Sequence, residues 1–234
     1  MNFPTTSWSL VLAAKEPAAG VSGAALERLC ELYWYPVYAY IRSRRGSPED
    51  ARDLTQEFFF RLLDKHYLAA IEAPRGRFRW FLQSAVKNFL ANEYDSRQAQ
   101  KRGGGHTFLS LDMDGAEQMY RLEPADRSTP EKIFDRRWGL LLLSRAMERL
   151  RQEQEKLGKS AHFDRLKQYL VGDDDQSSYQ DAARSMGTTE GAVKVAVYRL
   201  RRRFAEALRA EIAETVRNQT DVDAELRFLM TALG

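Results

Sequence analysis

The chain has 234 residues, of which 44% are hydrophobic and 29% charged. That is enough apolar material for packed cores; it excludes wholesale disorder and allows one large domain or two small ones. Thirty-six Lys and Arg face 33 Asp and Glu, a net charge of +3 that by itself identifies no partner. A single cysteine, Cys30, excludes an internal disulfide framework and a multi-cysteine zinc site. His66, His106 and His162 stand too far apart for ligand spacing, so no metal and no cofactor is expected. The start of the chain lacks the basic-then-apolar pattern of a secretory leader, and no apolar run nears the roughly 20 residues of a membrane span. These features predict a cytoplasmic protein with no membrane association.

Glycine and proline are sparse, and the segments between them carry helical period. Residues 1–23 form an N-terminal extension with the apolar stretch Trp8–Ala14. From Ala24 to Arg45, apolar residues recur at Leu26, Leu29, Leu32, Tyr33, Val37 and Ile41, which predicts the first helix. Gly46-Ser47-Pro48 ends it and starts another: Ser47 suits an N-cap, Pro48 the first helical position, and Glu49 and Asp50 the first turn. Leu54, Phe58, Phe59, Leu62 and Leu63 give that second helix its apolar side. Asp50, Asp53 and Glu57 are spaced by three and four and share a face, beside Gln56.

A third helix is expected from about Gly76 to Arg102. Its region from Arg75 holds seven bases against two acids, with Phe78, Phe81, Leu82, Ala85 and Phe89 as the packing stripe. Trp80 lies off that stripe, with Lys87, Asn88 and Asn92 near it and Arg77, Arg97, Lys101 and Arg102 toward the ends. An aromatic among cations and amides suits stacking on unpaired bases while the cations hold phosphates. Residues 103–135 hold seven acids against three bases and two prolines with little periodicity, which predicts an acidic linker between domains.

Helices are expected to resume at Pro130–Lys156, Phe163–Val171, Ser178–Met186 and Glu190–Glu214, with a C-terminal helical extension over 213–234. Ala183, Gly187 and Val193 carry helix-turn-helix spacing. The small residue lets two helices touch, glycine supplies the left-handed turn, and the later apolar residue packs back. Thr188 or Thr189 can cap the second helix, with Glu190 in its first turn. Val193, Val197, Leu200, Phe204 and Leu208 form its packing stripe, while Lys194, Tyr198, Arg201 and Arg202 share another face and Arg199 adds a cation. Six bases against one acid between Lys194 and Arg209 suit phosphates and base edges in a major groove. Asp173-Asp174-Asp175, between Gly172 and Ser177, reads as a solvated loop. No histidine pairs with a carboxylate or cysteine in a catalytic arrangement, so no enzyme activity is expected.

Taken together, the motifs resemble the sigma-70 family of bacterial RNA polymerase sigma factors, of the extracytoplasmic-function (ECF) type. Asp50-Ala51-Arg52-Asp53-Leu54-Thr55-Gln56-Glu57-Phe58-Phe59 is similar to the family's helix that docks on the β′ clamp helices. Phe78-Arg79-Trp80-Phe81-Leu82 with Ala85-Val86-Lys87-Asn88 resembles its −10 melting stretch, and Tyr179–Ala183 through Glu190–Lys194 its −35 reader. The resemblance covers about residues 24–212. It implies an all-α fold with a region-2 domain over 24–102 and a region-4 helix-turn-helix domain over 136–212. Its implied partners are core RNA polymerase (β′ clamp helices and β flap) and promoter DNA, with an anti-sigma factor or a Ser/Thr kinase as candidate regulators.

The chain also departs from the family pattern. Arg52 replaces an acid, Thr55 stands where an aliphatic residue is common, and Asn92 stands where an acid is common. Val195 and Ala196 replace the usual Ser and Arg, so a base-reading guanidinium is lost. Thr55 is read as a phosphorylation site, since a phosphate there would add negative charge to the acidic helix. The competing reading is a stand-alone helix-turn-helix regulator whose N-terminal helices sense a ligand or dimerise.

Overall fold

The computed structural model describes residues 22–63, 78–99, 113–122, 129–170, 176–216 and 219–233. Among them the fold is all-α: nine α-helices, one short 3₁₀ turn and no strand. We label the α-helices α1 (Ser22–Arg45), α2 (Pro48–Leu63), α3 (Phe78–Ala99), α4 (Met113–Leu122), α5 (Pro130–Lys156), α6 (Ser160–Leu166), α7 (Gln176–Met186), α8 (Glu190–Ala213) and α9 (Gln219–Leu233). The chain divides into two compact units. The first comprises Met1–Leu141 with Ala213–Gly234, and the second Leu142–Ile212.

Helix starts follow the local chemistry of the sequence. The Ser47 hydroxyl accepts the Asp50 amide at 3.3 Å, and Pro48 occupies the first helical position, where its missing N–H costs nothing. Thr129 repeats the device ahead of Pro130, accepting the Lys132 amide at 3.4 Å. Gly46, at φ +70°, closes α1 by donating to the Arg42 carbonyl at 3.2 Å. α1 also carries Pro36 in its interior, where the lost hydrogen bond and ring clash cost about 3 kcal/mol. The surrounding burial of Tyr33, Tyr35, Val37, Tyr38, Ala39 and Tyr40 offsets that cost.

The first unit is built on aromatic packing. Tyr33, Phe58, Phe59, Phe78, Phe89, Phe134 and Trp138 are fully buried, and each such side chain contributes about 1.5–3 kcal/mol. Tyr33 meets Phe78 edge-on at 4.9 Å, and its hydroxyl accepts from the Trp138 indole at 3.0 Å. Phe58 contacts Phe89 edge-on at 5.6 Å.

Two stretches outside the expected core domains pack into the first unit. The acidic linker 103–135 contains α4, which belongs to the first unit. Glu117 is buried, accepts hydrogen bonds from the Arg42 Nε and Nη2 at 3.1 and 3.2 Å, and also binds the Tyr38 hydroxyl and Arg121. Burial would push the Glu117 carboxyl up, but these donors outweigh it and hold it at about 2. The acidic count of this stretch therefore reflects partly a structural ion network, and net charge could not distinguish that from a solvated tether.

The second is the C-terminal stretch, which forms part of the first unit through α9. Val222, Glu225 and Leu229 are buried, and the packing leaves so little room at Gly139 that an added Cβ would lie 2.7 Å from Leu229 Cδ1. Arg79 ties α9 to α3 and α5. Its Nε donates to Glu225 at 3.0 and 3.2 Å, and its Nη1 donates to Asp135 at 3.0 Å. Its guanidinium carbon lies 3.6 Å from the Phe228 ring centre and 5.4 Å from that of Trp138. Arg79 is 3% exposed and Glu225 1%. Burial pushes the Asp135 carboxyl up, against the opposing pull of Arg79.

In the second unit, Leu142, Ala146 and Leu150 of α5 are buried, as are Phe163, Leu166 and Leu170. Arg145 and Arg149 bind the buried Glu211 carboxylate at 2.8 and 3.2 Å.

Candidate nucleic-acid interface

α7 and α8 meet at a tight turn where the Ala183-Gly187-Val193 spacing places one. Gly187 sits at φ +63°, the left-handed conformation expected of it. The Thr188 amide donates to the Ala183 carbonyl at 3.0 Å and the Gly187 amide to the Arg184 carbonyl at 3.3 Å, a complete Schellman closure of α7. Thr189, not Thr188, caps α8: its hydroxyl accepts the Ala192 amide at 3.2 Å. Ala183 and Val193 are both buried, together with Tyr179, Ala182, Val197, Leu200, Phe204 and Leu208.

This packing turns the opposite face of α8 to solvent. Thr188, Thr189, Lys194, Tyr198, Arg199 and Arg202 are exposed, with Tyr198 at 69%. Several of the expected cations already have partners. Lys194 pairs with Glu190 at 2.7 Å, and Arg202 lies 3.4 Å from Glu206. Such exposed pairs contribute little and yield readily to a phosphate. The Lys194 hydrogen bond also draws the Glu190 carboxyl down. Arg201 differs in being half-buried, and its Nε donates to the Tyr169 carbonyl at 2.9 Å. It braces the 3₁₀ turn Lys167–Tyr169 against α8. A basic side chain within a basic run gave no signal of that bond in the sequence.

In the first unit, α3 presents a continuous exposed strip: Trp80, Ser84, Lys87, Asn88, Ala91 and Asn92. Trp80 is 44% exposed although it follows the buried Arg79, whose guanidinium carbon lies 5.3 Å from its ring centre. Phe78, Phe81, Leu82, Ala85, Val86 and Phe89 fill the buried side, so the strip is fixed by packing behind it. Arg79 counted toward the cationic character of this helix in the sequence, but it is consumed by Glu225 and Asp135. Arg77, Lys101 and Arg102 lie outside the described residues, as does the Asp173–Asp175 run, and of Arg97 only the backbone is described.

α2 carries the acidic face. Asp53 is exposed, while Asp50, Gln56 and Glu57 are half-buried. Glu57 accepts from Arg61 at 2.7 Å, and Arg61 reaches Glu93 of α3 at 2.6 Å, so Glu57 belongs to a short chain of ion pairs. Phe60 is exposed beside this face, a large apolar residue that the sequence reading passed over. Its position one turn from Gln56 and Glu57 was a readable signal.

Thr55 is placed differently from its expected role. It is 0% exposed, and its hydroxyl donates to the Ala51 carbonyl at 2.6 Å within α2. A β-branched hydroxyl can satisfy itself against the preceding turn, and this one does so inside the core. A kinase has no access to it while α2 stays packed, and a phosphate would meet buried apolar side chains. The expectation of a phosphorylation switch at Thr55 is therefore not carried forward.

Among the described residues no cluster of three or more His, Cys, Asp or Glu could hold a metal ion. Within the same residues no helix is long and apolar enough to cross a membrane. Comparison of the chain with known protein families, with curated proteins and with solved structures finds no match in any of the three.

Proposed function

We propose that the chain is a promoter-specificity subunit of bacterial RNA polymerase, a sigma factor acting in the cytoplasm without catalysis or cofactor of its own. In this reading α8 lies in the major groove of a −35 element. The Trp80–Asn92 strip takes up the non-duplex −10 strand, and the α2 face around Asp53 and Glu57 docks on core polymerase. The observation that carries the reading is the strip on α3. An exposed tryptophan in register with a lysine and two asparagines, in a unit other than the one bearing the helix-turn-helix, has the chemistry of single-strand binding.

The physical division of labour supports the same reading. Duplex recognition needs a rigid helix with exposed polar groups and flanking cations, which α8 supplies. Melting needs an aromatic surface on which a displaced base gains about 1–3 kcal/mol by stacking, which Trp80 supplies. Because phosphates are neutralised in both steps, DNA binding weakens steeply with salt.

The test is transcription in vitro. The purified chain is added to bacterial core polymerase on a genomic DNA pool, and transcript start sites are mapped. Discrete, chain-dependent start sites are expected. Their absence, with retained binding of the free chain to palindromic DNA as a symmetric dimer, would support a stand-alone regulator instead.

A further inference from the structure

We propose that α8 selects its duplex by packing Val195 on thymine 5-methyl groups, so that the target is set by A·T pairs in the major groove rather than by hydrogen bonds to guanine. The inference rests on α8 being the duplex-reading helix and goes on to name what it reads.

The first turns of a recognition helix are the ones that meet base edges. Besides Lys194, the exposed residues of those turns in α8 are Gly191, Ala192, Val195 and Tyr198. They recur at helical spacing, with Val195 one turn from each of the others. The face is small and apolar where a groove-reading helix usually carries amides or guanidinium groups. Val195 is 50% exposed, outside the packing stripe of Val193, Val197 and Leu200.

The polar groups beside this face have partners within α8. The Thr189 hydroxyl is held by the Ala192 amide, and Glu190 and Lys194 hold each other at 2.7 Å. Accepting from a cytosine amine would require Glu190 to give up that pair. Bidentate recognition of guanine or adenine needs Arg, Lys, Asn or Gln at the base edge. Lys194 is the cation in these turns and is paired with Glu190, and the nearest guanidinium of α8 is Arg199, two turns into the helix, where it and Arg202 can serve the phosphates.

Neither Val195 nor Gly191 helps α8 to form. A β-branched residue on a solvent face lowers helix propensity, and a glycine in the first turn offers the helix nothing that alanine would not. Packing does not require that glycine either, since a Cβ added at Gly191 would meet nothing within 4 Å. What the pair creates is a shallow apolar surface that a base edge can approach closely. The thymine methyl is the apolar group that the major groove offers to such a surface. The Tyr198 ring extends the surface by one turn, and Lys194, Arg199 and Arg202 border it with the positive charge that duplex DNA requires.

The test uses the full chain, alone and bound to core polymerase. Duplexes are selected from a randomised pool, and each thymine of the enriched sequence is then replaced by uracil, which removes only the methyl group. At least one replacement is expected to weaken binding about fourfold, equivalent to ~0.8 kcal/mol for one buried methyl group. In V195A, an exposed substitution that leaves the core intact, that thymine-over-uracil preference should fall to within twofold. If the wild-type chain enriches a motif in which every uracil replacement is neutral, or if V195A keeps the preference, the proposal is overturned while α8 remains the reading helix. If no sequence is enriched in either arm, the assignment of α8 as the reading helix falls as well, and the thymine proposal with it.

Discussion

Replacing Arg79 by methionine should be the most damaging single change in the first unit. The buried group is a triad of one cation and two carboxylates, Glu225 at 1% exposure and Asp135 partly buried. Methionine fills much of the arginine volume and can pack on Phe228 and Trp138, so the loss is mainly electrostatic. It takes the Arg79 cation away from the buried Glu225 carboxylate, and breaking a buried pair on one side costs about 3–5 kcal/mol. E225Q should be milder, about 1–2 kcal/mol, because Arg79 keeps Asp135 and the amide oxygen still accepts a hydrogen bond. The double variant R79M/E225Q removes charge from both partners and should be less destabilised than the sum of the two by more than about 1 kcal/mol. All four tryptophans (Trp8, Trp34, Trp80, Trp138) precede Leu142, so tryptophan fluorescence excited at the red edge, where tyrosine does not absorb, follows the first unit during urea unfolding. At roughly 2–4 °C per kcal/mol for a unit of this size, R79M should also lower the Tm by about 6–20 °C. An R79M unfolding free energy within 0.5 kcal/mol of wild type, or strict additivity in the double variant, would refute the assignment of α9 as an integral, Arg79-anchored helix.

Three further outcomes follow from particular residues. Glu117 has its carboxyl depressed to about 2, so its contribution is complete above the unfolded value near 4.5 and is lost as pH falls from there toward 2. Urea unfolding followed by tryptophan fluorescence should show that acid sensitivity reduced by at least ~1 kcal/mol in E117Q. G187A forces alanine into φ +63° and should cost about 1 kcal/mol, read as faster amide exchange in α7 and α8 together with weaker duplex binding. T55E places a carboxylate at a fully buried site and should destabilise the first unit by more than about 3 kcal/mol, whereas T55V should cost less than about 1.5 kcal/mol. An exposed, switch-like Thr55 would instead leave T55E folded with wild-type fluorescence unfolding.

Most helix positions were legible because their determinants are local. Ser47-Pro48 fixes the start of α2, Gly187 the end of α7, and the Val193–Leu208 stripe the buried side of α8. The Trp80 strip was legible for the same reason, since residues off an apolar stripe face away from it. What escaped the sequence depends on distant partners. Residues 79 and 225 are far apart in the chain, and nothing local distinguishes Arg79 from the other bases of its region or Glu225 from a surface acid. Glu117 looked like one of seven linker acids until α1 supplied Tyr38 and Arg42. Arg201 looked like its neighbours until its bond to the Tyr169 carbonyl separated it from them. Thr55 was misjudged because its position on the acidic helix was weighed by charge, while its burial is set by the helices packed against it.

The central claim is that this chain delivers polymerase to promoters, and it is tested most directly by the affinity of the purified chain for bacterial core RNA polymerase. The account predicts a one-to-one complex weakened at least tenfold by D53R, which reverses an exposed charge on the proposed docking face without touching the core. A chain that does not bind core polymerase, or binds it equally well with D53R, would contradict it.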